Sequence, residues 1–314
     1  MTLVIVSHDL RPGLNSVWNE KAGKDKKTPL EPDGLLVATD TAITTSDTGV
    51  TLLSGFRKSY EVPIKVWKPY FVGAYFHSYQ TTYLETSCFI AFAGSTLTAQ
   101  HVLNSITEHL GKLRISYRRS SSSPGEYCVI RHCQKNDLEQ GQSVNQWGDD
   151  MFLSQDIEAL LTADVIADNI LYSINESLSS ARRYKLDAKS LQQMQTDFAA
   201  GVYCPVSRQH RLYTFRMDKA LSDNGIYEVF AKKEQINWNQ VAVLGMREEH
   251  EADAQAVLDN CIKSCTPPGD AIFDFLNSAI DKAQKSGSNA IDRPSVLKRF
   301  ESGRLEKVRH SSGL

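Results

Sequence analysis

Apolar runs near the start of the chain predict two adjacent β-strands. Leu3-Val4-Ile5-Val6 is continuous and rich in β-branched residues, which favours a buried strand over Thr2–Ser7. A second apolar run, Leu35–Ala38, follows the turn signal Asp33-Gly34, which is typical of a hairpin. A hairpin that returns beside the first strand brings Asp40 close to the start of the chain.

Later strand candidates share short β-branched or aromatic runs that are bounded by turn-forming residues. We expect Tyr70–His77 to pair with Ser87–Ala93, and Pro63–Pro69 to interrupt the strand that precedes them. The remaining candidates are Phe56–Val62, Ala199–Tyr203, Arg211–Arg216, Gly225–Phe230, Ala242–Leu244 and Asn289–Val296.

Four segments carry the helical spacing of apolar residues instead. In the first, Leu97, Ala99, Val102, Ile106 and Leu110 share one face, and the segment ends at Gly111. The others are predicted at Ser154–Tyr184, Glu248–Lys263 and Pro268–Lys285, the last opening with proline near its first turn.

Strands that alternate with pairs of helices predict an α+β protein, a four-layer αββα sandwich in which helices cover two packed sheets. No repeat or boundary divides 1–297, so we expect a single domain there. Polar, glycine-containing and proline-containing stretches predict insertions near 11–32 and 118–150. The basic segment 298–314 is expected to be a loosely held tail.

The amino-acid composition argues against several classes of partner. The chain has 41% hydrophobic and 23% charged residues and a net charge of −2, so neither nucleic acid nor an anionic membrane is favoured as a partner. The absence of a long apolar run and of a signal peptide predicts a cytoplasmic protein with reduced cysteines. The cysteine spacing lacks the doubled pattern of zinc sites, so we expect no metal.

Four segments together resemble the β-type subunits of proteasomes and their bacterial relatives, which are N-terminal-nucleophile hydrolases. Thr2–Val6 is similar to the first strand of that family, which begins on the catalytic threonine. Asp33–Asp40 and Ser54–Lys58 resemble the segments that carry its aspartate and its active-site lysine. Ala91–Gln100 resembles the turn whose glycine lines the oxyanion site. Within the family, the bacterial Anbu group is the most similar, through its Phe-Arg-Lys and Ala-Gly…Thr-x-Gln runs.

The resemblance implies the site residues Thr2, Asp40, Lys58 and Gly94, and their chemistry is consistent with hydrolysis. Once Met1 is removed, the Thr2 amine has a pKa of about 8 and can act as the base for its own hydroxyl. Lys58 would stay cationic and lower the pKa of both groups, and Asp40 would balance its charge. The Gly94 N–H would stabilise the oxyanion, an interaction worth roughly 3 kcal/mol.

The sequence departs from the family pattern in three ways that bear on the predicted hydrolase activity. Met246 and Arg247 follow Gly245, where the family usually has a serine beside the N-terminal amine. No acidic residue and serine with the family's spacing are evident near the final strand, although Asp281, Ser286 and Ser288 lie in that region. The insertion over Arg11–Pro32 also separates strands that are normally joined by a tight hairpin.

The resemblance therefore implies a threonine-type peptidase or amidohydrolase without a cofactor, acting on a peptide or protein. It also implies a ring or spiral of like subunits, and any unfoldase partner is left open. The departures keep two alternatives: a catalytically inactive assembly or binding scaffold, and a small-molecule amidase on the same fold.

Overall fold

The computed structural model of the protein describes residues 2–13, 29–45, 50–119, 125–140, 147, 149–184, 186–221 and 223–312. Parts of both predicted insertions, 14–28, 120–124, 141–146 and 148, lie outside the described residues, as does Met1. The described chain is a mixed α/β structure built on two large sheets.

The first sheet has five antiparallel strands in the order β12-β1-β2-β13-β14. The predicted hairpin forms, since Val4 pairs with Thr39 and His8 with Leu35, and its strands extend beyond the predicted runs. The strands are β1 (Leu3–Pro12), β2 (Leu30–Asp40), β12 (Val241–Gly245), β13 (Ser295–Glu301) and β14 (Arg304–Ser311).

The second sheet has seven strands in the order β11-β10-β9-β6-β5-β7-β8, and only the β5–β7 pairing is parallel among those described. A separate short ladder joins β3 (Ile43–Thr44) to β4 (Thr51–Leu53). The seven strands are β5 (Ser59–Val72), β6 (Tyr75–Gly94), β7 (Leu113–Arg118), β8 (Glu126–Ile130), β9 (Thr196–Tyr203), β10 (His210–Leu221) and β11 (Tyr227–Ile236).

Helices follow the strands in two groups. The first group is α1 (Thr96–Gly111), α2 (Ser154–Ile157), α3 (Ala163–Ser179) and α4 (Ala188–Met194), with 3₁₀ turns at Asp149–Phe152 and Ser180–Tyr184. The second group is α5 (Arg247–Ser264) and α6 (Gly269–Lys285). None of the helices in the described ranges is long and apolar enough to span a lipid bilayer.

Both faces of β1 are apolar because both are covered. Val4 and Val6 pack with Phe89 of the second sheet, so the two sheets share one core. Leu3 and Ile5 point the other way, since side chains alternate along a strand, and pack with residues of α5 and α6. Each such fully buried aliphatic side chain contributes roughly 1.5–3 kcal/mol. Helices α1 and α3 pack against the second sheet through a separate cluster.

The hairpin of β5 and β6 differs from the predicted pairing. Ser59–Val62 pairs with Cys88–Ala91, whereas Tyr70–Val72 pairs with Tyr75–Ser78 across a turn at Gly73, which has a positive φ of 60°. The prediction that Pro63–Pro69 interrupts the strand was wrong, because β5 runs through both prolines: Pro63 keeps its register opposite Ser87, and Pro69 lies at a register shift.

The long helix predicted at Ser154–Tyr184 is divided in the structure. Thr162 adopts an extended backbone and its hydroxyl accepts a hydrogen bond from the Val165 N–H, so α3 begins after it. A further helix, α4, was not predicted. It starts after Asp187, whose carboxylate accepts from the Ser190 N–H at 2.8 Å.

The expectation of a loosely held tail from residue 298 was also wrong, because β13 and β14 form the last two strands of the first sheet. Alternation places Leu297 and Phe300 in the core. The basic Arg299 is compensated by Asp9 at 2.7 Å and Asp33 at 2.9 Å. The basic residues of this segment therefore belong to a strand in which Arg299 is paired with carboxylates.

Candidate active site

The four residues implied by the resemblance all lie at strand ends. Thr2 immediately precedes β1, and Asp40 is the last residue of β2. Lys58 immediately precedes β5, and Gly94 is the last residue of β6. The β1–β2 and β5–β6 pairings place these ends in the two sheets that share the central core.

Thr2, Asp40 and Lys58 are in direct contact. The Lys58 ammonium donates a hydrogen bond to Thr2 Oγ1 at 3.1 Å and another to Asp40 Oδ2 at 2.8 Å. All three side chains are buried, and Asp40 has no exposed surface. A lysine cation therefore lies against the threonine hydroxyl in a site that is largely closed to water.

The Asp40 carboxylate also organises the backbone around Thr2. Its Oδ1 accepts from the Leu3 N–H at 2.9 Å, and its Oδ2 accepts from the Ala42 N–H at 3.2 Å. Burial raises the pKa of Asp40 and lowers the pKa of Lys58, and the ion pair between them opposes both shifts. The backbone N–H donors to Asp40 favour its charged form in the same way.

The Thr2 backbone is fixed from the other side by the end of β12. Its carbonyl accepts a hydrogen bond from the Met246 N–H at 3.1 Å. Gly245 has a positive φ of 88°, and a Cβ atom there would overlap the Thr2 carbonyl oxygen. Glycine is therefore required, because the chain passes directly against Thr2.

Gly94 occupies the turn from β6 into α1. Its φ is 124°, and a Cβ atom at this position would overlap the Gln195 carbonyl oxygen. The same carbonyl accepts from the Ser95 N–H at 3.0 Å, and the Ser95 hydroxyl caps α1 by accepting from Thr98. Ala93 packs in the core cluster between the sheets together with Val4, two residues from Thr2.

This arrangement has the parts for acyl transfer through an oxygen nucleophile. A neighbouring ammonium stabilises the oxyanion form of a hydroxyl and so lowers its pKa. The buried carboxylate holds the ammonium in position and balances its charge. Backbone N–H groups at a strand-to-helix turn are suitable donors for a tetrahedral oxyanion.

A cationic cavity beside Lys58 was not identified from the sequence. It has a volume of about 460 Å³ and is lined by Thr39, Thr41, Arg57, Lys58 and Lys298, among others. The Lys298 ammonium donates to the Ser59 carbonyl at 2.9 Å. Burial, with a smaller effect from Arg57, lowers the pKa of Lys298 to about 8. The Phe-Arg-Lys motif indicated Arg57, but Lys298 arrives from β13 and no local signal pointed to it.

The residues considered as helpers near the final strand are engaged elsewhere. Asp281 forms an ion pair with Arg293 at 2.6 Å. The Ser286 hydroxyl donates to the Ala283 carbonyl, and the Ser288 hydroxyl accepts from the Ala290 N–H. Met246, at the position where the resemblance implies a serine, donates its backbone N–H to the Thr2 carbonyl.

Within the described ranges, no group of three or more His, Cys, Asp or Glu residues is arranged to hold a metal ion. No protein-family model matches the chain, and no curated protein matches it.

Solved structures do match. Anbu from Hyphomicrobium sp. strain MC1 is 12% identical, with a TM-score of 0.45 over 99% of this chain and 87% of that one. Anbu (ancestral β-subunit) from Yersinia bercovieri is 9% identical, with a TM-score of 0.44 over 97% of this chain and 86% of that one. The structural neighbours are Anbu proteins.

Proposed function

We propose that the protein is a proteasome-like N-terminal-threonine hydrolase that cleaves peptide or amide bonds through an acyl-enzyme on Thr2. The observation that carries the proposal is the contact of the Lys58 ammonium with both Thr2 Oγ1 and Asp40. Lysine, aspartate and threonine lie far apart in sequence, and a buried ammonium on a threonine hydroxyl has a direct chemical use.

Removal of Met1 is the first requirement of this mechanism, because it converts the Thr2 amide into a free amine. The amine then takes the hydroxyl proton, directly or through one water, and Oγ1 attacks the substrate carbonyl carbon. Lys58 stabilises the negative charge that develops on Oγ1, and Asp40 fixes Lys58 in place. The Gly94 N–H is the proposed donor to the oxyanion.

Collapse of the tetrahedral intermediate breaks the carbon–nitrogen bond, and the proton on the Thr2 amine passes to the leaving amine. An ester between substrate and Thr2 remains. A water molecule, deprotonated by the same amine, attacks the ester carbonyl and releases the acid, which restores the Thr2 hydroxyl. The original Thr2 hydroxyl proton leaves with the amine product and a proton from water replaces it, so one turnover consumes one water and regenerates the free threonine.

The proposal includes the architecture and assembly that accompany this chemistry. Helices α1 and α3 on the second sheet and α5 and α6 on the first are consistent with a single four-layer αββα domain. This domain extends through β14 rather than ending at 297. We further propose assembly of like subunits around a peptide or protein substrate.

The proposal is tested with a β-lactone, which acylates a nucleophilic N-terminal threonine. The natively processed protein is expected to gain one lactone mass on Thr2, and Thr2→Ser is expected to retain labelling. Thr2→Ala is the matched control and should remain unlabelled. Labelling that persists in Thr2→Ala places the nucleophile elsewhere, and no labelling of the native protein supports a scaffold. Parallel panels of peptides and small amides then separate a peptidase from an amidase.

A further inference from the structure

A second pair of nucleophilic and basic side chains lies outside the candidate active site. Cys133 follows β8, His109 lies in the last turn of α1, and Ser173 lies in α3. All six cysteines fall within the described residues, and Cys133 is the exposed one. Its Sγ lies 3.6 Å from His109 Nε2.

The hydrogen bonds around His109 determine which ring nitrogen faces the thiol. The Ser173 hydroxyl donates its single proton to the Asn169 carbonyl at 2.7 Å. Ser173 Oγ therefore accepts from His109 Nδ1, which lies 2.8 Å away, so Nδ1 carries the proton. In the neutral ring the lone pair is then on Nε2, which is the atom that faces Cys133.

Burial keeps this imidazole neutral. The pKa of His109 is lowered, first by burial and then by His132 and Arg131. His109 is 8% exposed and Ser173 is fully buried, so the ring is held firmly while the sulfur remains accessible. A fixed base beside an exposed thiol is the arrangement that activates cysteine for nucleophilic attack.

The groups around the thiol carry both signs of charge: Arg131 is cationic, whereas the Glu108 and Glu176 carboxylates both act on His109. The Arg131 guanidinium lies 3.7 Å from the centre of the Tyr172 ring, and it donates to the neutral amide oxygen of Asn169, so its charge is not cancelled by that contact. The Tyr172 hydroxyl is hydrogen-bonded to Cys133. The nearby Glu108 carboxylate is engaged by Lys112 at 3.0 Å.

We propose that Cys133 is a reactive thiol, activated by His109, that forms mixed disulfides with low-molecular-weight disulfides. His109 Nε2 takes the thiol proton, and the Cys133 thiolate attacks one sulfur of the small disulfide. The new sulfur–sulfur bond forms as the old one breaks, and the departing thiolate recovers the proton from His109. One disulfide and one thiol are consumed, and one of each is produced, so no other oxidant is required.

The test measures the rate at which oxidised glutathione modifies each cysteine of the full chain, by intact mass and peptide mapping. Cys133 is expected to react at least about tenfold faster than the half-buried Cys265. His109→Asn keeps a donor to Ser173 but removes the base, and it should slow Cys133 by about tenfold or more.

Ser173 is a positioning residue in this account, and two variants test that role. Ser173→Ala is expected to slow the Cys133 reaction, and Ser173→Thr, which restores the hydroxyl, is expected to recover it. Thermal unfolding of each variant shows whether it is folded. The proposal is overturned if Cys133 and Cys265 react at equal rates, or if His109→Asn reacts as fast as the unaltered protein.

Discussion

Lys58 Nζ lies 3.1 Å from the Thr2 hydroxyl oxygen, although 56 positions separate the two residues. The contact depends on Asp40, which binds the same ammonium and also accepts from the backbone N–H that follows Thr2. Asp40 therefore fixes both partners at once, the lysine through its charge and the threonine through its backbone. This fixed contact between an ammonium and the Thr2 hydroxyl is what a nucleophile requires, and an ordinary residue at a strand end has no need of it.

Removing the Asp40 charge should destabilise the protein strongly. Asp40→Asn leaves the Lys58 ammonium buried without a counterion, and breaking one partner of a buried pair costs about 3–5 kcal/mol in the free energy of unfolding. Glu85→Gln is the control, because it removes an ion pair with Lys65 at 3.0 Å in which both side chains are more than a third exposed. Its cost should stay below about 1 kcal/mol. Urea unfolding of both variants checks the difference, and equal costs contradict a buried ion pair.

Removing the Lys58 charge should slow acylation. Lys58→Met takes away the cation that stabilises the developing Oγ1 anion, and loss of one such group costs about a hundredfold or more in rate. Lys65→Met, in β5 itself and partly exposed, is the matched control and should leave the rate unchanged. The measurement is the rate constant for β-lactone labelling of Thr2. An unchanged rate in Lys58→Met means that the contact has no catalytic role.

Gly245→Ala should disturb the site through Thr2. The new Cβ atom would overlap the Thr2 carbonyl oxygen, so the first residues must move and labelling should be lost. Gly225→Ala is the control. Gly225 also has a positive φ, of 72°, but no atom lies within 4 Å of the Cβ that alanine would add. This substitution should therefore cost only the backbone strain, about 1 kcal/mol. Circular dichroism confirms folding of each variant. Normal labelling of Gly245→Ala contradicts the close approach.

Acid should destabilise the protein partly through His8. Burial lowers the pKa of His8 from 6.5 to about 4, so the unfolded chain binds a proton before the folded one does. The stability that His8 contributes is present above pH 6.5 and is lost as pH falls towards about 4, by up to roughly 3 kcal/mol. His8→Gln should remove this pH dependence from urea unfolding, whereas His77→Gln, at an exposed position, should keep it. Identical pH dependence in all three proteins rejects His8 as the source.

Sequence pattern was sufficient to predict strands that are buried on both faces, because such strands consist of continuous apolar runs. The β1–β2 hairpin followed from Leu3–Val6, Leu35–Ala38 and the Asp33-Gly34 turn, and it placed Asp40 near the chain start correctly. The prediction of a loose tail was wrong because Lys298 and Arg299, considered without their distant partners, have the composition of a solvent-exposed segment. Their partners, the Ser59 carbonyl and the Asp9 and Asp33 carboxylates, come from distant parts of the chain.

The candidate site was predictable to a similar extent. The segment resemblance supplied Thr2, Asp40 and Lys58, which the structure brings into contact. It did not supply Lys298, or the role of Met246 as a backbone donor to Thr2. A backbone N–H is present at nearly every residue. Whether it donates to a particular carbonyl depends on the path of the chain, so the residue type at position 246 could not predict this hydrogen bond.

The measurement that bears most directly on the central claim is mass spectrometry of the purified native protein before and after treatment with a β-lactone. We predict that the purified chain begins at Thr2 and that fragmentation locates a single adduct on that residue. Retention of Met1 together with an absence of adduct, or an adduct on any other residue, would contradict the proposal of an N-terminal threonine nucleophile.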